Sequence, residues 1–264
     1  MTRWAVGVEY NGAAYSGWQS QTGVPTVQAT LEAALGVIAN HPIELVCAGR
    51  TDAGVHARAQ VVHFDSSAPR TDFTWLVGTN ANLPADINAR WVAAVPEHFH
   101  ARFAALSRTY RYYILNRNVR SALASGRAWC VFHPLDAVAM QGAAELLLGE
   151  HDFSAYRAAE CQARSPVRTL HSAVVTREQD WIVIEVRANA FLQHMVRNIA
   201  GTLVTIGRGA APTEFAREQL LSRDRRVGAA TAPAAGLYFW DVEYPAGFGL
   251  PVVSAMIGPQ QFCP

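Results

Sequence analysis

The sequence predicts a mixed α+β fold made of two comparable α/β halves. Three observations support this class. Segments with the alternation of β-strands and segments with helical spacing follow one another along the whole chain. At 264 residues, half of them apolar, the chain is long for one domain and sufficient for two packed halves. The glycine fingerprint of a dinucleotide-binding fold is missing from the first half.

The first half begins with "RWAVGVEYNG", whose alternation and final Asn-Gly are typical of a strand that enters a turn. Apolar residues at helical spacing follow the possible N-cap Thr26. These residues are Val27, Leu31, Leu35 and Ile38. Further strands are predicted at "IELVCA", "AQVVHF", "NARWVAAVP" and "ARFAALSRTYRYYIL", and a short helix capped by Thr71 at "TDFTWLVGTNANLP".

The second half repeats this mixture. A helix is predicted from about Pro134 to Leu148, followed by the strand pair "TLHSAVVTR" and "WIVIEVRAN". An apolar helix at "FLQHMVRNIAGTLVTIG", a helix from Thr213 and a late strand at "GLYFWDVEY" complete it, before a Gly/Pro-rich tail. We therefore expect a seam near residues 100–108, with the halves spanning 1–103 and 104–264 and a cleft between them.

The charge distribution points to a nucleic-acid partner although the net charge is only +1. All 22 basic side chains are arginines, which excludes Schiff-base chemistry and a Walker-type phosphate lysine. Two stretches lack acidic residues and can form positive surfaces, unless acids elsewhere in the fold pair with them. Their arginines are Arg102, Arg108, Arg111, Arg117, Arg120 and Arg127 in the first stretch, and Arg187, Arg197 and Arg208 in the second.

Cysteine usage and hydropathy indicate a cytoplasmic protein. The four cysteines lie far apart, without CxxC or Cys/His metal spacing, and are interpreted as reduced thiols. No segment approaches the roughly 18 uninterrupted apolar residues of a membrane span, and the first ten residues do not have the pattern of a signal peptide.

The segment "CAGRTDAGVHARAQ" places Arg50, Asp52 and Gly54 in a polar turn between two apolar runs. Arg50 and Asp52 are two residues apart, so in an extended segment their side chains project to the same side. A carboxylate beside a guanidinium stays ionised and can act as a nucleophile or base. The alternative is an aspartate that caps a turn in which Gly54 supplies a positive φ.

Two other segments combine cations with apolar or aromatic residues. In "SRTYRYYIL", strand alternation puts Arg108 and Tyr110 on one face, an arrangement that suits base stacking beside phosphate contacts or a half-buried strand. In "FLQHMVRNIAG", Arg197 lies on an apolar helix and requires an acidic partner, for which Asp52 has the appropriate charge. A surface arginine on an amphipathic helix is the alternative.

A metal-dependent hydrolase is the weakest of the alternatives. Its candidate ligands are His98, His100, His151 and Asp152. A His-x-His pair on a strand can bind zinc, but spacing does not supply the remaining ligands. "AYSGWQ" is not a nucleophile elbow, which leaves a serine hydrolase without support.

Six segments in order resemble the tRNA pseudouridine synthase A family. They are "YNGAAYSGWQ", "AGRTDAGVHARAQVVHF", "FHARFAALSRTYRYYI", "HDFSAYRAAECQA", "FLQHMVRNIAG" and "GLYFWDVEYP". The resemblance implies two similar ferredoxin-like halves, a largely antiparallel mixed sheet flanked by helices, and an active-site cleft between the halves. It also implies a homodimer that converts uridine to pseudouridine at positions 38, 39 and 40 of the tRNA anticodon stem-loop, without cofactor or metal.

The same resemblance assigns roles to individual residues. Asp52 matches the catalytic aspartate, Tyr110 the tyrosine that stacks on the target base, and Arg197 the arginine that pairs with the carboxylate. Arg50 matches the arginine that helps displace the flipped nucleotide, and Leu237 an apolar position of the pocket. Residues in segments that meet RNA in that family are His100, Arg102, Gln162 and Arg164.

Two departures from the family pattern are mild: "RSPVRTLHS" lies where relatives vary, and the tail "SAMIGPQQFCP" extends past the last matching strand. Neither touches a catalytic position. An RNA-binding module that has lost its chemistry remains a rival interpretation. Such a module would keep the basic faces without needing Asp52, Tyr110 and Arg197 together.

Overall fold

A computed structural model describes residues 1–251 of the chain, which divides into two compact units. The first unit comprises Met1–Leu106 and the chain from Phe239 onward, and the second comprises Ser107–Tyr238. The halves expected from the sequence, 1–103 and 104–264, differ from these units because the chain returns to the first unit near its end. The assignment of two domains with those limits stays a prediction. The tail "SAMIGPQQFCP" lies outside the described residues.

The first unit has the order strand–helix–strand–strand–helix–strand. Its elements are β1 (Thr2–Tyr10), α1 (Val27–Ala39), β2 (Val46–Cys47), β3 (His56–Ser66), α2 (Asp72–Asn82) and β4 (Ile87–Val95). β1 pairs with both β3 and β4, and β2 pairs with β3, all antiparallel. The order β4-β1-β3-β2, with a helix after β1 and another after β3, is the split β-α-β arrangement of ferredoxin-like folds.

Local chemistry explains why the two helices of the first unit begin where they do. The Thr26 hydroxyl accepts a hydrogen bond from the Ala29 amide at 3.4 Å, and the Thr71 hydroxyl accepts one from the Thr74 amide at 3.1 Å. Such N-caps satisfy amides that have no partner within the helix. α2 packs on β4 and on α1, and its Trp75 is fully buried against the core.

The second unit repeats the strand–helix–strand–strand–helix order with insertions. Its elements are β5 (Ser107–Asn116), β6 (Trp129–Val131), α3 (Ala137–Glu145), β7 (Gly149–Asp152), β8 (Val167–Glu178), β9 (Trp181–Ala188), α4 (Met195–Gly207) and α5 (Phe215–Ser222). β9 pairs antiparallel with β5 and β8, and β8 pairs antiparallel with β7. β6 runs parallel to β5, which makes the sheet mixed. The strand β10 (Leu237–Glu243) begins in this unit, and from Phe239 onward it belongs to the first.

The core of the second unit lies around α4, almost every residue of which is buried. α3 packs on α4 and on β8. In β9 the buried residues alternate with half-buried or exposed ones, as expected of a strand that buries one face. The predicted α+β class, with largely antiparallel sheets and flanking helices, is confirmed by the structure.

Several element limits differ from the sequence-based expectation. The strand expected from residue 101 begins at Ser107, because the His100 ring and carbonyl accept hydrogen bonds from the amides of residues 102–104 and hold them in a turn. Only Val46–Cys47 of "IELVCA" is a strand. α4 begins at Met195 rather than at Phe191. The short strands β6 and β7 were not predicted, since three or four residues carry no periodicity.

Candidate active site

The Asp52 loop, residues 48–55, connects β2 to β3 and is held from one side by the segment that follows β1. The Trp18 amide donates to the Thr51 carbonyl at 3.0 Å, and the Gly54 amide donates to the Tyr15 carbonyl at 3.2 Å. The hydroxyls of Tyr10 and Thr51 lie 2.8 Å apart in a buried hydrogen bond. The matched segments "YNGAAYSGWQ" and "AGRTDAGVHARAQVVHF" therefore form one structural unit.

Buried polar side chains of β3 hold the Asp52 loop from the other side. Gln60 is fully buried, and its amide nitrogen donates to the Gly49 carbonyl at 2.6 Å while its amide oxygen faces the Gly49 amide at 3.4 Å. The ring of His56, also buried, accepts a hydrogen bond from the Gly12 amide at 3.1 Å. Buried polar groups of this kind are stable only with partners, so the loop and the strand fix each other.

Two glycines allow the segment after β1 to approach the loop. A Cβ at Gly12 would lie 1.9 Å from the Val55 carbonyl oxygen. Gly17 has φ of +93°, and a Cβ there would lie 2.8 Å from the Thr51 carbonyl oxygen. Since real Cβ atoms do not come this close to backbone, larger residues at either position would push the segment away from the loop.

Asp52 lies in a turn, which agrees in part with the alternative that this aspartate caps a turn. The hydrogen bond that closes the turn is made by the Asp52 backbone carbonyl. This carbonyl accepts a hydrogen bond from the Val55 amide at 3.1 Å, and Gly54 supplies φ of +77°. The Asp52 side chain is half-buried and Arg50 is exposed. Burial raises the pKa of the neighbouring Cys47 thiol to about 11, a shift that the charge of Arg50 reduces. Cys47 is thus an unreactive thiol at neutral pH.

Tyr110 lies on β5 opposite Val186 of β9, in the second unit. Its ring is largely buried and meets the ring of Phe191 edge to face, with centroids 5.0 Å apart. The neighbouring Arg108 is buried as well, and its guanidinium donates to the Asn189 carbonyl at 2.8 Å. The predicted pairing of an arginine with a tyrosine on one strand face is present, in a buried strand.

Arg197 lies in the first turn of α4 and is fastened to the segment that leads into β10. Its Nε donates to the Ala232 carbonyl at 2.8 Å, and the Ala232 amide donates back to the Arg197 carbonyl at 3.2 Å. The Tyr112 hydroxyl donates to the next carbonyl, that of Pro233, at 2.7 Å. Burial raises the pKa of Tyr112, and the positive charge of Arg197 acts in the opposite direction. Leu237, buried, begins β10.

The residues expected to meet RNA occupy two places. His100 stacks on Phe103 with ring centroids 4.3 Å apart, and burial together with the charge of Arg3 lowers its pKa. Its Nδ1 accepts hydrogen bonds from two backbone amides, so the neutral ring carries its proton on Nε2. Arg102 is exposed beside it. Gln162 and Arg164 are exposed in the loop that precedes β8.

Sequence reasoning missed the residues that hold the Asp52 loop. Gln60 carried a usable signal, because a polar amide in an otherwise apolar strand has to find a partner. Tyr10, Thr51 and His56 carried none, since their partners are backbone or hydroxyl groups that only the fold brings near.

The metal-dependent alternative finds no ligand set in residues 1–251, where no group of three or more His, Cys, Asp or Glu side chains could hold an ion. Within the same residues, no helix has the length and hydropathy required to cross a membrane.

Comparison with known proteins decides the family. The family model described as "tRNA pseudouridine synthase" matches residues 7–104 and 143–245, which contain the Asp52 loop and α4. The chain belongs to the tRNA pseudouridine synthase family. Tyr110 falls between the two matched ranges of the family model.

Relatives named tRNA pseudouridine synthase A extend the match to nearly the whole chain. The protein from Nitrosococcus oceani is 54% identical over 252 residues, 96% of this chain and 97% of its own length. The Alcanivorax borkumensis protein is 54% identical over 95% of this chain and 94% of its own length. The Pseudomonas aeruginosa protein is 52% identical over 95% of this chain and 88% of its own length.

A solved structure described as a Cbf5-Nop10-Gar1 complex is a distant match. It covers 76% of this chain and 45% of its own, with 14% identity and a TM-score of 0.35. Membership of the tRNA pseudouridine synthase family rests on the sequence matches alone.

Proposed function

We propose that this chain isomerises uridine to pseudouridine at positions 38, 39 and 40 of the tRNA anticodon stem-loop. The observation that carries the proposal is identity of 50–54% over nearly the whole chain to proteins named tRNA pseudouridine synthase A. The proposal includes a cytoplasmic homodimer that needs no metal or cofactor. These finer features come from the resemblance.

Within this proposal Asp52 is the catalytic carboxylate, acting as nucleophile or base. Arg197 pairs with it and keeps it ionised. Tyr110 stacks on the target base, Arg50 helps to displace the flipped nucleotide, and Leu237 lines the pocket. The hydrogen bonds around the Asp52 loop support the first assignment, since a reacting carboxylate has to be held in a fixed geometry before substrate arrives.

The chemistry requires few protein groups. The reaction breaks the bond between C1′ and N1, turns the base, and joins C1′ to C5, which loses its hydrogen. C5 releases that hydrogen as a proton to solvent and N1 takes up a proton, so the atoms balance. Nothing is oxidised and no group is added. The carboxylate can attack the base, attack the sugar, or remove a sugar proton to start an elimination.

Reaching a uridine in a stem requires that it leave its stack, at a cost of a few kcal/mol. Contacts to the surrounding RNA supply that energy. We propose that Arg102, Gln162 and Arg164 contact the backbone, and that His100 donates from Nε2–H, because its Nδ1 is already occupied.

The test is release of tritium from tRNA transcripts labelled at uridine C5. Because the new C–C bond expels that hydrogen, an active enzyme releases one tritium for each pseudouridine formed. Transcripts that keep uridine at only one of positions 38, 39 and 40 assign the sites, and transcripts that lack all three should release none. Release from this last set would contradict the assigned positions.

Binding of tRNA without tritium release would favour the RNA-binding module. Dialysis against a chelator should leave the rate unchanged if no metal takes part. Sedimentation velocity over a range of concentrations tests the homodimer, and a single species with the mass of one chain would contradict it.

A further inference from the structure

A polar concavity lies in the second unit, between the turn after β7 and the segment after α5. It encloses about 270 Å³. Its lining residues are Ser154, Arg157, Ala158, Ala159, Arg223, Asp224 and Arg225, and we call it the arginine cavity. A water molecule occupies about 30 Å³ of liquid, and pockets for drug-sized ligands begin at about 300 Å³. The arginine cavity therefore suits a phosphate-sized group with a few waters.

The arginine cavity is positive despite Asp224. The Asp224 carboxylate is chelated by Arg226, whose Nε and Nη2 donate to it at 3.0 Å and 2.7 Å. Arg226 itself is exposed outside the lining. The other carboxylate nearby, Asp152, lies 3.5 Å from the Arg223 Nε. The lining therefore carries three arginines and one aspartate, and the excess of positive charge is two whether or not Arg226 and Asp152, which lie outside the lining, are counted. Such an excess suits an anion.

Arg225 is held in place by one nitrogen. Its Nη2 donates to the Asn198 side chain, the Ala229 carbonyl and the Thr231 hydroxyl at 3.1, 2.8 and 3.0 Å. Its Nε and Nη1 make no hydrogen bond to any residue in 1–251, and the same is true of the whole Arg157 guanidinium. An arginine anchored at one end, with donors left at the other, is preorganised for a ligand.

We propose that the arginine cavity binds a phosphate group of the RNA backbone. The inference rests on the proposed function, which supplies tRNA as the polyanion. Arginine donors in a fork match phosphate oxygens, and such interactions position a nucleic acid without reading its sequence. Arg157 also begins the loop that carries Gln162 and Arg164, so a phosphate bound here would hold the RNA at one end of that loop.

Salt-dependent tRNA binding by the full-length protein tests the proposal. The variant Arg157→Gln/Arg223→Gln keeps the anchored Arg225 and so preserves the packing around Asn198. Arg217→Gln is the matched control, because Arg217 is exposed on α5 and does not line the arginine cavity. Circular dichroism and thermal unfolding check that each variant is folded.

We expect the double variant to bind unmodified tRNA transcript about tenfold more weakly at 0.1 M salt. The slope of log K against log salt should fall by about 1 for each RNA phosphate that the variant no longer neutralises. Arg217→Gln should match the wild type in both. At saturating tRNA the double variant should still release tritium at the wild-type rate, with KM raised. Equal affinity and equal slope in the double variant and the wild type would overturn the proposal.

A second variant keeps the proposal testable if the double variant fails to fold. Asp224→Asn removes the negative charge of the lining while its side-chain oxygen can still accept from the Arg226 amide. It should bind tRNA more tightly, by about two- to fivefold, with an equal or steeper salt slope. Weaker or unchanged binding would contradict a phosphate site.

Inorganic phosphate, titrated by calorimetry, separates a free anion from the RNA backbone. Phosphate binding that Arg157→Gln/Arg223→Gln abolishes, with no change in tRNA affinity, would show a site for free anions and overturn the RNA proposal. A wild type that releases no tritium from any tRNA, together with a reduced salt slope in the double variant, would sink the proposed function and leave the phosphate site standing.

Discussion

The two units share an order of strands and helices but differ at the hairpin that leads into β3 in the first unit and into β9 in the second. In the second unit, β8 and β9 are joined by Gln179 and Asp180, a tight turn with φ of +52° at Gln179. In the first unit the equivalent connection is the Asp52 loop, residues 48–55. The strand that follows differs as well, because β3 is buried at every position from His56 to Phe64 while β9 alternates.

This difference shows where the first unit departs from the shared order of strands and helices, at the loop that we propose to be catalytic. A strand that alternates needs only its apolar face to be stable, as β9 illustrates. β3 instead buries His56, Arg58, Gln60 and His63, which is costly unless each group is satisfied. Two of these, His56 and Gln60, bond to the Asp52 loop or to the segment that holds it. The buried polar side chains of β3 and the Asp52 loop therefore depend on each other for their hydrogen bonds.

The largest expected effect on activity comes from replacing an aspartate in the connection of the first unit, compared with an aspartate in the hairpin of the second. Asp52→Asn should keep tRNA affinity but lower the rate of tritium release by on the order of 10³ to 10⁴, because the proposed mechanism uses this carboxylate as the reacting group. Asp180→Asn in the tight turn of the second unit is the control and should keep wild-type activity. Appreciable pseudouridine formation by Asp52→Asn would end the catalytic assignment.

Tyr110 tests whether the second unit supplies a stacking platform. Tyr110→Ala should lower activity by roughly 5- to 150-fold, the range that corresponds to base–aromatic stacking of about 1–3 kcal/mol. Tyr110→Phe keeps the ring against Phe191 and should lose only a few-fold. Steady-state rates with the same labelled tRNA compare the two, and equal losses would mean that the hydroxyl, not the ring face, matters.

A matched pair of buried glutamines tests the coupling of β3 to the loop. Gln60→Leu removes the side-chain partner of the Gly49 backbone, and Gln219→Leu in the second unit removes the side-chain partner of the Ala155 carbonyl. Each should lower the free energy of unfolding by about 1–3 kcal/mol in urea titrations. Only Gln60→Leu should also lower kcat, several-fold, at a temperature where both variants are folded. A similar kcat for the two would refute the coupling.

The last prediction concerns stability in acid and involves no change in activity. Burial, with the charges of Arg3 and His100, lowers the pKa of His63 from 6.5 to about 4, although Asp65 opposes this. The unfolded chain therefore binds the proton first, and the free energy of unfolding should fall as pH drops from about 6.5 toward 4, by up to about 1.4 kcal/mol per unit.

Urea unfolding at several pH values measures this slope. His63→Gln should flatten it, while the exposed His171 serves as the control, since His171→Gln should leave it unchanged. A residual slope of the same sign is expected from His100, whose pKa is also lowered. An unaltered slope in His63→Gln would contradict a buried neutral imidazole.

Periodicity predicted most of the fold, because helices and strands that bury one face repeat apolar residues at fixed spacing. In α1 the N-cap Thr26 and the helical spacing of apolar residues can be recognised in the sequence, and in β9 the alternation of apolar residues can. Periodicity failed where a side chain bonds to the backbone and changes its direction. At His100, the ring accepts hydrogen bonds from two following amides, so the chain turns where a strand was expected. Asp52 and Arg50 could be selected from their motif. The arginine cavity could not, because Arg157 and Arg225 are far apart in sequence and only tertiary packing brings them together.

The hydrogen bonds described for the Asp52 loop also have a consequence for the order of synthesis. Every partner named, from Tyr10 to Gln60, lies within the first quarter of the chain. A nascent chain that has emerged from the ribosome as far as β3 thus already carries each of these named partners, before any of the second unit has emerged. Deleting the amino-terminal twenty residues would keep Asp52 in the sequence but remove Tyr10, Tyr15 and Trp18, which bond to its loop.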